Sequence, residues 1–532
     1  MSQEVNNENI YSLIDLLMKN DLYKTNRDSF AQFIEEIIYK ELKEGQNIFN
    51  EKYHNNKIYR HRFQFDNIGL KPPINENNDE LMFPEDARIK NLDYQSKLVA
   101  DVKQILEIID LETEETTTKV IAEEKETPVA KIPIMVKSKY CITTLRKDLP
   151  NTECPYDPGC YFIIKGGEKV VLPHEQICSN KPLVFTKKDN TYKNNVMYQI
   201  QVNSKESNIL GMINVLLLQL KKNDSIVCLT NQFAEIPLFV LIRALGITSD
   251  YDIIKYIVYD INDFDMTNML RYSLDKSLSE VRDIKGNFKV IRTQEDAIEY
   301  LTTKLKSNKR YSETDEAIRE QQKRMHVIKI LENDLLPHMG KNLINKAIYI
   351  GYMCNKMLNV VLRRTEIDDR DSYLNKRIDH IGVLLGILFK QHYKKMLNDC
   401  AKFFNKKNIS DDSPINVITQ IKPNIIENGL KAGLATGSWS PKRKGVAQLL
   451  QRISYLQTNA YFRRFLTPSL DTSNNKITTI RNADNYQAFF VCPNATPEGQ
   501  KIGLVKELSL SANISLMLYS HIPIIKIGRA HV

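Results

Sequence analysis

The sequence predicts an α+β protein of several domains, in which helices and antiparallel strands are mixed. Three observations lead there. A chain of 532 residues is too long for one hydrophobic core, so two to four domains are expected. Strand-like apolar runs fill 131–136 and 159–172 and continue from about 179 to 224, with the run at 159–172 broken by Gly166-Gly167; that break reads as a hairpin turn. Helical periodicity then takes over at 236–245, 251–258, 313–333, 343–362 and 381–404, giving a helix-rich middle.

The amino-terminal part follows the same logic. Residues 11–18 and 29–38 carry apolar side chains at three- and four-residue intervals, which predicts two amphipathic helices, the second capped by Ser29. Residues 110–131 are rich in Glu and Thr and poor in core formers, so a solvated loop or partly disordered insertion is expected there. Further on, Val446, Leu449, Leu450, Ile453 and Leu456 repeat at helical spacing after Gly445. A helix there would hold Arg452 off the apolar stripe, facing solvent or phosphate. Residues 471–476 have turn chemistry and no apolar anchor, as an exposed loop does.

Composition excludes several classes. An apolar fraction of 42% and a charged fraction of 26% describe a globular protein rather than a disordered one. The apolar runs near 213–220 and 236–242 fall well short of the roughly 20 residues that span a bilayer. The eight cysteines, Cys141, Cys154, Cys160, Cys178, Cys228, Cys354, Cys400 and Cys492, form no C-x-x-C pair. Zinc is therefore not expected, and scattered thiols fit a reducing compartment.

A net charge of +9 permits nucleic-acid binding without requiring it, and clustering is the stronger argument. From 431 to 470 the chain holds Lys431, Lys442, Arg443, Lys444, Arg452, Arg463 and Arg464, with no Asp or Glu. Such a segment suits a polyanion, bound through sequence-blind and salt-sensitive phosphate contacts. A solvated basic face, or a nuclear-import signal at 441–445, would give the same pattern. Asp368, Asp369 and Asp371 could hold magnesium, but Arg370, Lys376 and Arg377 favour a salt-bridged surface. Residues 496–503 combine Thr496, Pro497, Glu498, Gly499 and Gly503. Proline stiffens such a turn, while its glycines admit a close neighbour.

The order of these segments resembles the second-largest subunit of multisubunit DNA-directed RNA polymerases, of the eukaryotic, archaeal or large-DNA-virus type. The family's (A/S)TGNWG appears as Ala435-Thr436-Gly437-Ser438-Trp439-Ser440, its RRxxTP as Arg463-Arg464-Phe465-Leu466-Thr467-Pro468, and its CPAETPEG as Cys492 to Gly499. Upstream, 83–94 resembles PxxARxRNLTY, 132–138 resembles (L/I)PIMLRS, and 157–170 resembles DPGGYFIINGSEKV. Ile236-Pro237 with 243–246, and 369–379, are similar to IPI...RALG and DRDHFGNKRLD. The resemblance implies a protrusion from 1–178 and 381–433, a lobe at 179–380, a fork at 434–510, and the start of a further domain at 511–532.

It also implies roles. Lys442, Arg443, Lys444, Arg452, Arg463, Arg464 and Arg481 would line the path of template DNA and the RNA–DNA hybrid, and Thr496, Pro497, Glu498 and Gly499 would scaffold the active centre. Arg481 lies about one position from the family's loop arginine. Catalytic Mg2+ would come with the largest subunit, the family's zinc site would lie downstream of this chain, and no cofactor is expected on the chain itself. Partners would be the other polymerase subunits, nucleic acid and, in the full enzyme, nucleoside triphosphates, with no membrane. The chain alone should be inactive, and its place would be intracellular: nucleus, viral factory or virion. Two departures stand out, Ala495 for the Glu of CPAETPEG and Ser440 for the Gly of TGNWG. Residues 527–532 have no family counterpart and read like translated sequencing adapter. The rival reading is a stand-alone basic nucleic-acid-binding protein.

Overall fold

The computed structural model describes residues 12, 21–45, 47–54, 57–75, 80–110, 115–149, 153–188, 196–206, 210–211, 213–279, 290–306, 316–407, 416–440, 443–467 and 478–516. The expected helix at 11–18 (Ser12 apart), the loop at 471–476, Lys442 and the tail 527–532 lie outside them. The architecture is mixed α+β, and the chain divides into two compact units, Ile177–Arg377 and the pair of flanking segments Met1–Gln176 and Ile378–Val532.

The discontinuous unit is built on an antiparallel sheet of β1 (Ile48–His54), β2 (Lys57–Leu70), β3 (Gln95–Asp110) and β4 (Thr116–Pro133), in that order. Helix Ile381–Lys407 lends it Tyr393 and Phe404, which meet Phe65 and Phe49 edge-on at 6.3 and 5.8 Å. The expected loop at 110–131 is thus mostly strand. Its Thr and Val residues favour a pleated backbone, and β4 is an edge strand whose residues up to Val120 are solvent-exposed. Lys103 answers Glu123 across β3 and β4 at 3.4 Å. An edge strand solvated on its outer side has loop-like composition.

The second expected helix exists and is longer, with Lys24–Gln32, a π-helical stretch Phe33–Ile38, and Tyr39–Lys43 in succession. Ser29 does not cap it. Its side chain is buried mid-helix and accepts the Gly382 amide at 2.9 Å. The expected hairpin forms from β5 (Phe162–Ile164) and β6 (Gly167–Val171). Its turn is Lys165-Gly166 rather than Gly166-Gly167, because Gly167 already pairs with Ile164. Strand β7 (His174–Ile177) follows.

The contiguous unit holds a five-stranded antiparallel sheet in the order β12-β11-β10-β9-β8, from β8 (Leu183–Lys188), β9 (Val196–Lys205), β10 (Ile213–Leu220), β11 (Ile226–Thr230) and β12 (Ile236–Pro237). Helices including Leu238–Ala244, Asp250–Val258, Glu316–Lys329 and Leu343–Val361 bury one continuous core against it. Asp368 accepts Lys356 Nζ at 2.6 Å and the Val184 amide at 2.8 Å, and Asp371 lies 3.9 Å from Lys376. That cluster is salt-bridged. No helix among the described residues is long and apolar enough to cross a membrane.

Candidate nucleic-acid interface

The basic segment begins where helix Pro423–Thr436 ends on Gly437 and the chain turns back through Trp439. The indole is buried and donates to the Gly433 carbonyl at 3.0 Å, and the Arg443 amide closes the turn on the Ser440 carbonyl at 3.0 Å. Ser440, where the family motif has glycine, is thus tied to Arg443 through its backbone.

The helix expected at 446–456 does not form. Residues Ala447–Leu449 make β14, which pairs with the free edge of β6 through Ala447↔Val171, Gln448↔Val170 and Leu449↔Lys169. A helix starts later, Tyr455–Arg463, capped by Ser454, whose hydroxyl accepts the Gln457 amide at 3.2 Å. Val446 and Leu450 are buried, but Leu449 is 56% exposed and Ile453 and Leu456 are each 81% exposed, so the apparent apolar stripe does not form one buried face. An unpaired strand edge nearly three hundred residues upstream won the backbone, and local periodicity carries no sign of it.

This changes the setting of Arg452. Its guanidinium donates to Glu168 at 2.6 and 3.0 Å and to Asp157 at 2.9 Å, and it lies over the Tyr161 ring at 5.2 Å from the centroid. Arg88 completes the cluster, donating to Glu168 at 2.9 Å, to Glu153 at 2.7 and 2.9 Å and to the Tyr161 hydroxyl at 2.7 Å. Hydrogen bonding to Glu168 holds the Arg452 pKa above its ordinary range, and burial pushes the Tyr161 phenol up. Arg452 is 41% exposed, and its Nε and Nη2 donors go to the carboxylates of Glu168 and Asp157.

The other cations are held in the same fashion. Arg443 pairs with Asp379 at 2.9 Å, and Arg464 pairs with Glu507 at 3.0 Å while lying over the Tyr461 ring at 4.4 Å. Arg463 is 9% exposed and donates to the carbonyls of Leu22 and Ala512 at 3.1 Å and to that of Ser509. Burial pulls its pKa down. Lys431 joins Asp93 at 2.8 Å and Glu427. Lys444 is exposed and makes no ion pair with a described residue. An acid-free stretch of sequence is thus largely neutralised by carboxylates that other segments supply.

Strands β13 (Lys376–Asp379), β15 (Arg464–Leu466) and β16 (Val505–Glu507) form a sheet with β7 in the order β13-β7-β15-β16. Just before β16 lies the rigid turn. The Thr496 hydroxyl donates to the Val505 carbonyl and accepts the Gly503 amide, both at 3.0 Å. Arg481 donates to the carbonyls of Gln500 at 2.7 Å and Ile502 at 2.9 Å, clamping the same turn. Gly503 has φ +70°, and a Cβ there would lie 2.4 Å from the Arg481 carbonyl oxygen, so only glycine fits. Gly499, at φ +86°, has no neighbour within 4 Å of such a Cβ. Its use is the turn itself, not close approach. Pro497 and Ala495 are half-buried, and Glu498 is exposed.

Sequence reasoning used the segments at 83–94 and 157–170 as markers and missed Arg88, Glu153, Asp157, Tyr161 and Glu168 as a joined site. Apart from Glu153 they lie inside those motifs, and the unlike charges of Arg88, Asp157 and Glu168 were the available signal. Among the described residues no three His, Cys, Asp or Glu side chains gather as a metal site would require. What the arrangement can do is hold a stiff wall and turn in fixed register.

Comparison with known proteins agrees on one family. Residues 21–428 match the RNA polymerase beta subunit family, and 448–514 match RNA polymerase Rpb2, domain 3. DNA-directed RNA polymerase subunit 2 of Acanthamoeba polyphaga mimivirus is 41% identical, over 98% of this chain and 45% of its own length. For DNA-directed RNA polymerase II subunit RPB2 of Schizosaccharomyces pombe the figures are 32%, 86% and 38%. The chain thus spans less than half the length of these two relatives. DNA-directed RNA polymerase subunit Rpo2N of Methanococcus vannielii is 29% identical over 93% of both chains. With matched segments covering both the sheet of β1 to β4 and the clamped turn, the chain belongs to the RNA polymerase beta subunit family.

Proposed function

We propose that this chain forms one wall of the nucleic-acid cleft of a DNA-directed RNA polymerase, as the amino-terminal part of its second-largest subunit. Residues 1–178 with 381–433 serve as protrusion, 179–380 as lobe and 434–510 as fork. The observation that carries the reading is the clamped turn. Thr496, Arg481 and Gly503 fix a Pro-Gly loop beside the sheet whose β15 holds Arg464, with Arg463 ending the helix just before it, which suits a scaffold beside a reacting centre.

The chain supplies shape and a fixed set of dipoles, and the chemistry comes from elsewhere. Catalytic Mg2+ would be held by the largest subunit on the other side of the cleft, and would supply the two-metal phosphoryl-transfer chemistry there. The zinc site belongs to the downstream part of the second subunit. Nucleoside triphosphates, template and hybrid are met only in that assembly. The 41% identity to a mimivirus subunit supports a large DNA virus as source, and hence a viral factory, virion or nucleus as location.

The stand-alone DNA-binding reading is the weaker one, because Arg443, Arg452 and Arg464 already face carboxylates. The archaeal relative of matching length is itself a polymerase subunit by name, so a chain of this extent can act in an assembly. Co-expression with the largest subunit and the downstream half of subunit 2 should give a complex that makes RNA on a DNA template. Failure of the chain to enter that complex, with tight DNA binding of the chain alone, would overturn the proposal.

A further inference from the structure

Three side chains, one of them Thr467 of the RRxxTP-like segment, close a buried triangle to which no role has been assigned above. Glu175 on β7 and Lys506 on β16 are 2% and 6% exposed, and Thr467 stands between them just beyond β15. Lys506 Nζ donates to Glu175 Oε1 at 3.0 Å and to Thr467 Oγ1 at 3.3 Å, while Thr467 Oγ1 donates to Glu175 Oε2 at 2.8 Å. Each member is bonded to the other two.

The backbone around them is thinly specified. Strands β15 and β16 pair over Arg464↔Glu507, Phe465↔Lys506 and Leu466↔Val505, whereas β15 meets β7 in parallel at the single pair Leu466↔His174. So short a junction fixes its register weakly. A buried ion pair is often no more stabilising than apolar side chains of similar size, but its bonds are directional. Here they select one alignment of three strands.

That alignment reaches both motif segments. Thr467 ends the stretch that begins at Arg463, and its amide donates to the Leu504 carbonyl at 2.8 Å. The next residue on that strand, Val505, accepts the Thr496 hydroxyl. We infer that Glu175 and Lys506, acting through Thr467, are positioning residues for nucleotide addition, holding the Arg463–Thr467 and Thr496–Gly499 segments in mutual register. This rests on reading the chain as a polymerase wall.

The test compares wild type with Glu175→Leu/Lys506→Met, which puts apolar side chains in place of the ion pair, and with Lys506→Arg, which keeps the charge. In the assembled polymerase the apolar pair should lower kcat for nucleotide addition on the order of 10- to 100-fold, with a smaller change in nucleotide KM and an unchanged thermal midpoint. Lys506→Arg should recover most of the rate. In the chain alone, amide hydrogen exchange at Leu466 and Thr467 should quicken in the apolar variant, since their amides bond to Pro173 and Leu504. A folded apolar variant with wild-type kcat, or with wild-type exchange, overturns the inference. Should that variant fail to fold, Thr467→Val, which keeps the ion pair, gives the same readouts. If the wild-type assembly makes no RNA, the polymerase reading fails, and the exchange measurement still decides whether the triangle sets the register.

Discussion

Replacing Arg452 by alanine separates a structural arginine from a phosphate ligand. The change removes bonds of 2.6 and 3.0 Å to Glu168 and 2.9 Å to Asp157, together with the stack on Tyr161. It leaves two carboxylates whose side chains are 15% and 8% exposed. Stranding one partner of a fully buried pair costs about 3–5 kcal/mol. Arg452 is 41% exposed, and Glu168 keeps Arg88 at 2.9 Å, so solvent screening and the second arginine bring the expected loss to about 2 kcal/mol. Denaturant unfolding should show it as a lower midpoint with unchanged slope. DNA binding by the folded variant, titrated with salt, should change little. Unaltered stability with a salt slope reduced by about one contact would refute the reasoning and return Arg452 to the phosphate path.

Lys444→Ala should behave in the opposite way, with stability unchanged within about 0.5 kcal/mol and a weaker salt dependence of DNA binding in a filter or anisotropy assay. His174 and His380 are 2% and 4% exposed, and burial, aided at His174 by nearby Arg443, lowers each pKa from 6.5 to about 4. Between those values the unfolded chain binds more protons than the folded one, so their contribution is full above pH 6.5 and is lost as pH falls toward 4. At pH 5 the loss is about 2 kcal/mol per ring; urea unfolding at pH 7 and 5 should show it, less steeply in His174→Phe. Gly503→Ala meets the Arg481 carbonyl at 2.4 Å with φ +70°, whereas Gly499→Ala has open space at φ +86°. The first should cost about 3 kcal/mol and the second about 1 kcal/mol, as measured by thermal unfolding.

Much of the fold was legible because its signals are local. The helices at 238–244, 250–258 and 343–361 follow apolar spacing within one window, and the β5–β6 hairpin follows its turn glycine. The failures share a cause of the opposite kind. Residues 447–449 became strand because β6 offered an edge, Ser29 was buried because Gly382 crosses its helix, and 116–133 became strand by pairing with β3. Each was decided by a partner outside its own window. The candidate site divides likewise. Pro497, Gly499 and Gly503 announce a stiff turn by residue type alone. The fate of the arginines depended on Asp157, Glu168, Asp379 and Glu507, which no count over 431–470 includes.

The nested arrangement of the two units has a consequence during synthesis. The unit at Ile177–Arg377 is contiguous, so all its contacts are available once residue 377 has left the ribosome. The flanking unit must wait for its second segment. Glu175 meets Lys506 across 331 residues of chain, an interval on the order of 20 to 60 seconds at translation rates of about 5–20 residues per second. Until β13 emerges at 376–379, β15 at 464–466 and β14 at 447–449, β7 and the β5–β6 hairpin present nascent edges without these later partners, open to chaperones or to mispairing. The inner unit should fold first, and the outer unit should depend on the cell's folding machinery until β16 emerges.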